Sequence, residues 1–174
     1  MSSEKRKIAY IDGKPYEIGA NHTSILKFVK SYVGEKKVPT LCDDPNLAPY
    51  GACRVCSVEV ALEKDGPTRM VASCHTPVAE NQHIFTSNEA ITNLRKNIVE
   101  LVLTDHPMEC DSCEVNNNCE LQTVANDLGI SDHRYNSPKQ HKGIPRDTSH
   151  DYMRMNLDNC INCGRYDLDP KPLF

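Results

Sequence analysis

From Lys7 to Ile18 apolar and polar residues alternate on either side of Asp12-Gly13, a pair that favours the tight turn of a β-hairpin. Thr23 or Ser24 can then cap a helix, because Ile25, Leu26, Phe28, Val29 and Val33 recur at helical spacing up to Gly34. Val38 to Gly51 holds three prolines, two aspartates and a glycine, so an ordered loop is expected there. Ser57 to Leu62 and Arg69 to Ser73 read as strands around the turn Lys64-Asp65-Gly66-Pro67, and Gln82 to Thr86 reads as another. A longer helix is predicted from about Asn88 to Leu103, with Ile91, Leu94, Ile98, Leu101 and Val102 along one stripe. A shorter one runs from Cys119 or Glu120 to Leu128 and stops at Gly129. Beyond Ile130 the chain is polar, carries Pro138 and Pro145, and offers one plausible strand at Tyr152 to Leu157. The fold class is therefore α+β: a small sheet packed on one helix, then a short helical segment and an extended tail. No internal repeat and no low-complexity tract is present.

Composition sharpens this picture. Of 174 residues 39% are hydrophobic, with no Trp and three Phe, so the apolar core must be modest and something else should help hold the fold. The nine cysteines supply a candidate, and their odd number argues against a closed disulfide framework. Charged Glu4, Lys5, Arg6 and Lys7 are followed by no apolar stretch of the kind a secretory signal needs, which points to the reducing cytoplasm. No apolar run approaches the roughly 20 residues of a membrane span; the longest, Ile98 to Leu103, is interrupted by Glu100. A net charge of -4 gives no general case for nucleic acid. Arg134, Lys139, Lys142 and Arg146 form a locally basic stretch, read as a solvated or partner-facing loop.

Cys42, Cys53, Cys56 and Cys74 give C-x10-C-x2-C-x17-C, three in the loop and one at the end of a strand. Four thiolates so distributed suit a [2Fe-2S] cluster, each iron taking two beyond the bridging sulfides. Gly51 and Ala52 would let main-chain N–H groups approach the sulfurs. Four cysteines also suit a structural zinc ion, although the long first gap is unusual for one. This motif, running Cys42-Asp-Asp-Pro-Asn-Leu-Ala-Pro-Tyr-Gly-Ala-Cys53-Arg-Val-Cys56, resembles the N-terminal ferredoxin-like domain of the large iron-sulfur subunit of complex I. The same domain recurs in the diaphorase of NAD-linked hydrogenases, in NAD-dependent formate dehydrogenases and in multimeric [FeFe] hydrogenases.

His106, Cys110, Cys113 and Cys119 follow as H-x3-C-x2-C-x5-C, four donors compact enough to surround one [4Fe-4S] cube. A lone histidine is more often a surface or packing residue; it is the match to that family's motif of one histidine and three cysteines, in the same order, that implies ligation by His106. His75 and His83 match no family ligand position and are read as ordinary side chains. The resemblance implies a β-grasp [2Fe-2S] domain over residues 1–87 and a helical [4Fe-4S] segment over 88–130. Residues 131–174 are left as the extended tail.

In that tail, Cys160-Ile-Asn-Cys163-Gly-Arg-Tyr166 resembles the opening of a further C-x2-C-x2-C-x3-C module, but its third position is Tyr166. The pair is a relic without metal, a donor of ligands to a site shared with another subunit, or a redox-active dithiol. Asp167 to Phe174 reads as a docking tail, which makes a naturally short subunit the expectation. No Gly-rich phosphate loop, Ser-His-Asp arrangement or catalytic carboxylate pair is recognisable, so nucleotide and flavin binding should belong to a partner. The expected function is electron relay between an NAD(P)H-oxidising flavoprotein and a second redox enzyme such as a hydrogenase or formate dehydrogenase catalytic subunit. A zinc-stabilised adaptor and a free-standing ferredoxin-like shuttle are the competing readings.

Overall fold

The computed structural model describes residues 6–135 and 143–165. Contacts divide them into two compact units, one of residues 6–95 with 164–165 and one of 96–135 with 143–163.

The first unit is a five-stranded mixed sheet in the order β2-β1-β5-β3-β4 with one helix packed on it, the β-grasp arrangement. Strands β1 (Ile8–Ile11) and β2 (Lys14–Glu17) form the predicted hairpin. Asp12 and Gly13 turn it with φ of 47° and 82°, the left-handed pair that a two-residue loop of this hand requires. Helix α1 (Ile25–Val33) starts where the Ser24 hydroxyl accepts the Lys27 N–H, and ends at Gly34 with φ 106°, whose N–H reaches the Lys30 carbonyl. Strands β3 (Ser57–Ala61) and β4 (Arg69–Ala72) pair antiparallel, and β5 (His83–Phe85) lies between β3 and β1, parallel to the latter. Ile25, Leu26, Phe28 and Val29 of α1 pack on Ala9, Ile11, Val58, Val60 and Ile84, and Cys56 and Cys74 belong to the same core.

Helix α2 (Glu89–Asp105) begins with the Asn88 side chain accepting the Ile91 N–H at 2.8 Å, and the division between the units falls inside it. Its buried stripe differs from the expected one. Ile91, Arg95, Val99 and Leu103 are buried at intervals of four, Glu100 is buried beside them, and Leu101 is exposed. A strictly apolar count misses this, because Arg95 and Glu100 are held inside by hydrogen bonds rather than by hydrophobicity. In the second unit α3 (Glu120–Asp127) starts at Cys119 and stops before Gly129 at φ 66°. The described residues buried in that unit are Val99, Leu103, Pro107, Leu121, Val124, Ala125 and Ile130, with Glu100 among them.

The strand expected at Tyr152 to Leu157 is not formed. Met155 makes a single antiparallel bridge to Asp147, and Leu157–Asn159 turns into a 3-10 helix capped by Asn156. Tyr152 and Met153 are exposed, so no apolar face holds a longer ladder together. Of the basic stretch, Arg134 binds the Glu100 carboxylate at 2.7 Å and the Asn97 side chain, and Arg146 meets Glu114 at 3.1 Å. These two arginines serve internal pairs rather than a bare loop; Lys139 and Lys142 lie outside the described residues, as do Tyr166 and residues 167–174. Among the described residues no helix is long and apolar enough to cross a membrane.

Asp12 ties the hairpin to the end of the neighbouring strand β5: its carboxylate accepts the Thr86 N–H at 2.8 Å and the Thr86 hydroxyl at 2.6 Å, and meets Lys37 at 3.4 Å. Burial opposes the charge, but the two bonds from Thr86 and the Lys37 ammonium win, and the carboxyl titrates below its ordinary value. A depressed pKa gives stability that is present above the unfolded value and lost as pH falls through the folded one. Asp12→Asn keeps a residue tolerant of positive φ and should cost about 1 kcal/mol at neutral pH. Denaturant melts of the two proteins should converge once the wild-type carboxyl is protonated in acid.

Candidate metal centres

The antiparallel register of β3 and β4 places Ser57 opposite Ala72 and Val58 opposite Val71. One step further, the Cys56 carbonyl accepts both the Ser73 hydroxyl at 2.7 Å and, at 3.4 Å, its N–H, so Cys56 and Cys74 are neighbours by pairing geometry alone. The same short segment is fastened to α1, whose Leu26 and Ile25 N–H groups donate to the Ser73 and Thr76 carbonyls at 2.9 Å. Cys42 and Cys53 arrive from the loop between α1 and β3. That loop is anchored at its start by Lys30, which reaches Asp43 at 3.1 Å and Glu35 at 3.2 Å. Burial works against the ammonium, but the hydrogen bonds and charges of Asp43 and Glu35 leave its pKa raised.

All four thiols meet. Cys42 is hydrogen-bonded to Cys53 and Cys74, and Cys56 to Cys74. Main-chain groups turn toward the sulfurs as well: Ala52 and Cys53 toward Cys42, Val55 and Leu41 toward Cys53, and Cys74 toward Cys56. This requires unusual backbone, supplied by Gly51 at φ 72° and Arg54 at φ 62°. The thiols polarise in alternation. Hydrogen bonds from Cys53 and then Cys74 pull Cys42 far below the ordinary thiol value, and the bond from Cys74 pulls Cys56 down against burial. Cys53 is pushed up by its bond to Cys42, and Cys74 by its bonds to Cys42 and Cys56.

Two arginines at this site escape a motif search. Arg95 of α2 is 5% exposed and donates to the Ser57 carbonyl at 2.8 Å, while its Nε lies buried with no hydrogen-bond partner. Burial pushes its pKa down to about 10, and the charge of Cys56 works in the opposite direction. Arg165 donates to the Leu41 carbonyl at 2.6 Å, next to Cys42. The one signal for Arg95 in the chain is its place in the i+4 series Ile91, Arg95, Val99, Leu103, where a cation interrupts apolar residues. His75 is exposed with Nδ1 3.3 Å from the Pro49 carbonyl, and His83 stacks on Tyr10.

In the second unit, His106, Cys110 and Cys119 line one cavity of about 230 Å³ together with Leu103, Met108, Leu121, Ala125 and Ile130. Cys113 is not among its lining residues, although its N–H closes the turn onto the Cys110 carbonyl at 3.1 Å. The His106 Nδ1 lies 2.8 Å from the Pro107 carbonyl, which can only accept, so Nδ1 is the donor in that contact. The loop from Cys113 to Cys119 is pinned by Gln122, which accepts the Asn117 N–H and donates to Asn116, both at 2.8 Å. Cys160 and Cys163 are half-buried, and the Asn162 N–H points at the Cys160 sulfur at 3.4 Å. Among the described residues no three His, Cys, Asp or Glu side chains are arranged around a single metal ion.

Comparison with known proteins finds two iron-sulfur regions along the chain. Residues 8–89 match the family model of a 2Fe-2S iron-sulfur cluster binding domain, and residues 95–134 that of the NADH-ubiquinone oxidoreductase-G iron-sulfur binding region. NADPH-Fe(3+) oxidoreductase subunit alpha of Geobacter sulfurreducens is 33% identical over 155 residues, 89% of this chain and 17% of that protein. NADP-reducing hydrogenase subunit HndD of Solidesulfovibrio fructosivorans is 35% identical over 161 residues, 89% of this chain and 26% of that protein. The G-type subunit of the NADH-quinone oxidoreductase of Escherichia coli K12 is 33% identical over 162 residues, 90% of this chain and 17% of that protein. The chain thus spans about a sixth to a quarter of the length of these relatives. A chain in the crystal structure of NAD+-reducing [NiFe]-hydrogenase in the H2-reduced state superposes with a TM-score of 0.78 at 25% identity, over 91% of this chain and 63% of that one.

Ser73 tests how the sheet end is held. Ser73→Ala removes the bond to the Cys56 carbonyl and should cost about 1 kcal/mol, read from urea unfolding of the apo chain.

Proposed function

We propose that this chain, which belongs to the family of the N-terminal iron-sulfur region of complex I G-type subunits and their relatives in NAD(P)H-linked hydrogenases, relays single electrons between an NAD(P)H-oxidising flavoprotein and a second redox enzyme. The convergence of four thiols and their surrounding N–H groups at one end of the sheet carries the reading. Cys42, Cys53, Cys56 and Cys74 hold one [2Fe-2S] cluster, and His106, Cys110, Cys113 and Cys119 hold one [4Fe-4S] cluster. When bound, these groups each supply a site that takes up and gives away one electron. The chain's own residues do the rest. N–H groups of Ala52, Cys53 and Val55 stabilise negative sulfur, Val55 and Leu41 close the interior against water, and the Pro107 carbonyl orients the His106 ring with Nε2 as the ligating nitrogen.

The orphaned Nε of Arg95 supports a negatively charged occupant at the first site, because a buried cation with an unused donor is costly until such a charge is present. The flavoprotein and the catalytic subunit, a hydrogenase or formate dehydrogenase, are separate partners, and the assembly works in the cytoplasm. Cys160 and Cys163 are a relic of a further module and bind no metal in this chain.

Iron, zinc and acid-labile sulfide assays on anaerobically isolated protein, with low-temperature EPR after dithionite reduction, test the reading. About six irons and six sulfides per chain, with two distinct signals, are expected. Zinc without sulfide would overturn it in favour of an adaptor. Cys53→Ala should abolish the [2Fe-2S] signal and spare the other. His106→Cys adds a negative ligand and should keep a cube whose potential falls; an unshifted potential would exclude imidazole ligation. Cys160→Ser should change neither metal content nor assembly.

A further inference from the structure

Among the described residues of the first unit, Arg95 is the one charged side chain that is buried. It is 5% exposed, sits on the inward stripe of α2, and forms no ion pair with a carboxylate among the described residues. Its Nη2 donates to the carbonyl of Ser57, the residue after Cys56, and its Nε has no partner. A neutral carbonyl does not compensate an interior guanidinium, and a buried cation lacking a counter-charge is among the more destabilising features a small domain can carry. As a structural anchor the residue is poorly explained, because methionine would fill the same space without that cost. The negative charge that acts on it comes from Cys56.

We propose that Arg95 is the built-in counter-charge of the [2Fe-2S] centre, a positioning residue that raises its reduction potential and that the fold carries at a cost until the cluster is present. This rests on the assignment of Cys42, Cys53, Cys56 and Cys74 to that cluster. The direction follows from charge alone. Four thiolates around a [2Fe-2S] core leave the centre negative, and uptake of one electron makes it more so. A fixed cation in a poorly screened interior stabilises the reduced state more than the oxidised one. Arg95 keeps its charge at neutral pH, so the effect does not depend on titration.

The test uses the full chain with three proteins, wild type, Arg95→Lys and Arg95→Met, each reconstituted and titrated against redox mediators while the [2Fe-2S] EPR signal is followed. In Arg95→Met the reduced-to-oxidised ratio at the wild-type midpoint should fall about tenfold, with the [4Fe-4S] signal unmoved. Arg95→Lys keeps the charge and should retain most of the wild-type potential. Apo Arg95→Met should melt no lower than apo wild type, whereas its loaded form should lose part of the stabilisation that cluster binding gives the wild type. A fully loaded Arg95→Met with an unchanged midpoint overturns the proposal, as does an Arg95→Lys midpoint that falls as far as that of Arg95→Met. If Arg95→Met takes up no cluster, its apo melt decides: a melt well below apo wild type makes Arg95 a structural anchor and overturns the proposal. Wild-type chain that acquires no [2Fe-2S] signal would instead refute the ligand assignment itself.

Discussion

Four thiols gathered at one end of a small sheet impose a charge problem that shapes everything around them. Thiols are weak hydrogen-bonding groups and thiolates are costly to bury, so the surroundings must supply positive potential. Here it comes from peptide N–H groups and from Arg95, with Arg165 beside the Cys42 end. Between Val38 and Cys56 the chain forms neither helix nor strand, and the reason lies in that demand. N–H groups aimed at sulfur are unavailable to a ladder, and the chain must pass through left-handed conformations at Gly51 and Arg54 to aim them. Arginine at φ 62° is an uncommon choice, and it marks where the need to present donors overrides local backbone preference.

The sheet solves the complementary problem of position. Cys56 and Cys74 are separated by the whole β3–β4 hairpin, yet the register that pairs Ser57 with Ala72 sets them beside each other before any metal is considered. Ser73, with no exposed surface, then fastens the strand end to the Cys56 carbonyl, and the first turn of α1 is bonded onto the same segment. Half of the proposed ligand set is thus placed by hydrogen bonds of secondary structure, and the loop needs only to bring Cys42 and Cys53 to a prepared edge. The apolar core beneath includes Cys56 and Cys74 themselves, which explains how a chain with no Trp and three Phe closes a β-grasp domain.

Much of this was legible in the sequence, and the exceptions share one cause. The hairpin at Asp12-Gly13, the cap at Ser24, the stop at Gly34 and the breaker at Gly129 are signals whose physics is local, and they reappear in the structure within a residue or two. The cysteine spacings pointed to two iron-sulfur regions in the order that the family models match, since ligand chemistry restricts which residue types can recur. What escaped was polar burial. Arg95 and Glu100 sit inside because a carbonyl of β3 and the Arg134 guanidinium meet them there, partners distant in sequence that no periodicity encodes. Counting apolar residues along α2 therefore selects Leu101, which is exposed, and passes over Arg95, the residue with most to say about the site. The strand expected near Tyr152 fails for a related reason: alternation is present, but no partner surface is available to reward it.

The two proposed ligand sets differ in how much of their geometry the polypeptide determines by itself. From Cys42 to Cys74 the set spans most of a domain, and sheet pairing forces its members together. From His106 to Cys119 all four donors lie in one short stretch after α2, held by a few turns and the Gln122 bonds to Asn116 and Asn117, and only three of them line the shared cavity. A short stretch gains little from long-range packing, so more of its ordering free energy has to come from the ligand bonds themselves. On the proposed ligand assignment, the chain combines a centre whose frame is preformed with one whose frame is completed by its occupant. On that assignment the first depends on fixed charges such as Arg95 for its properties, while the second depends chiefly on which donor atoms the loop presents.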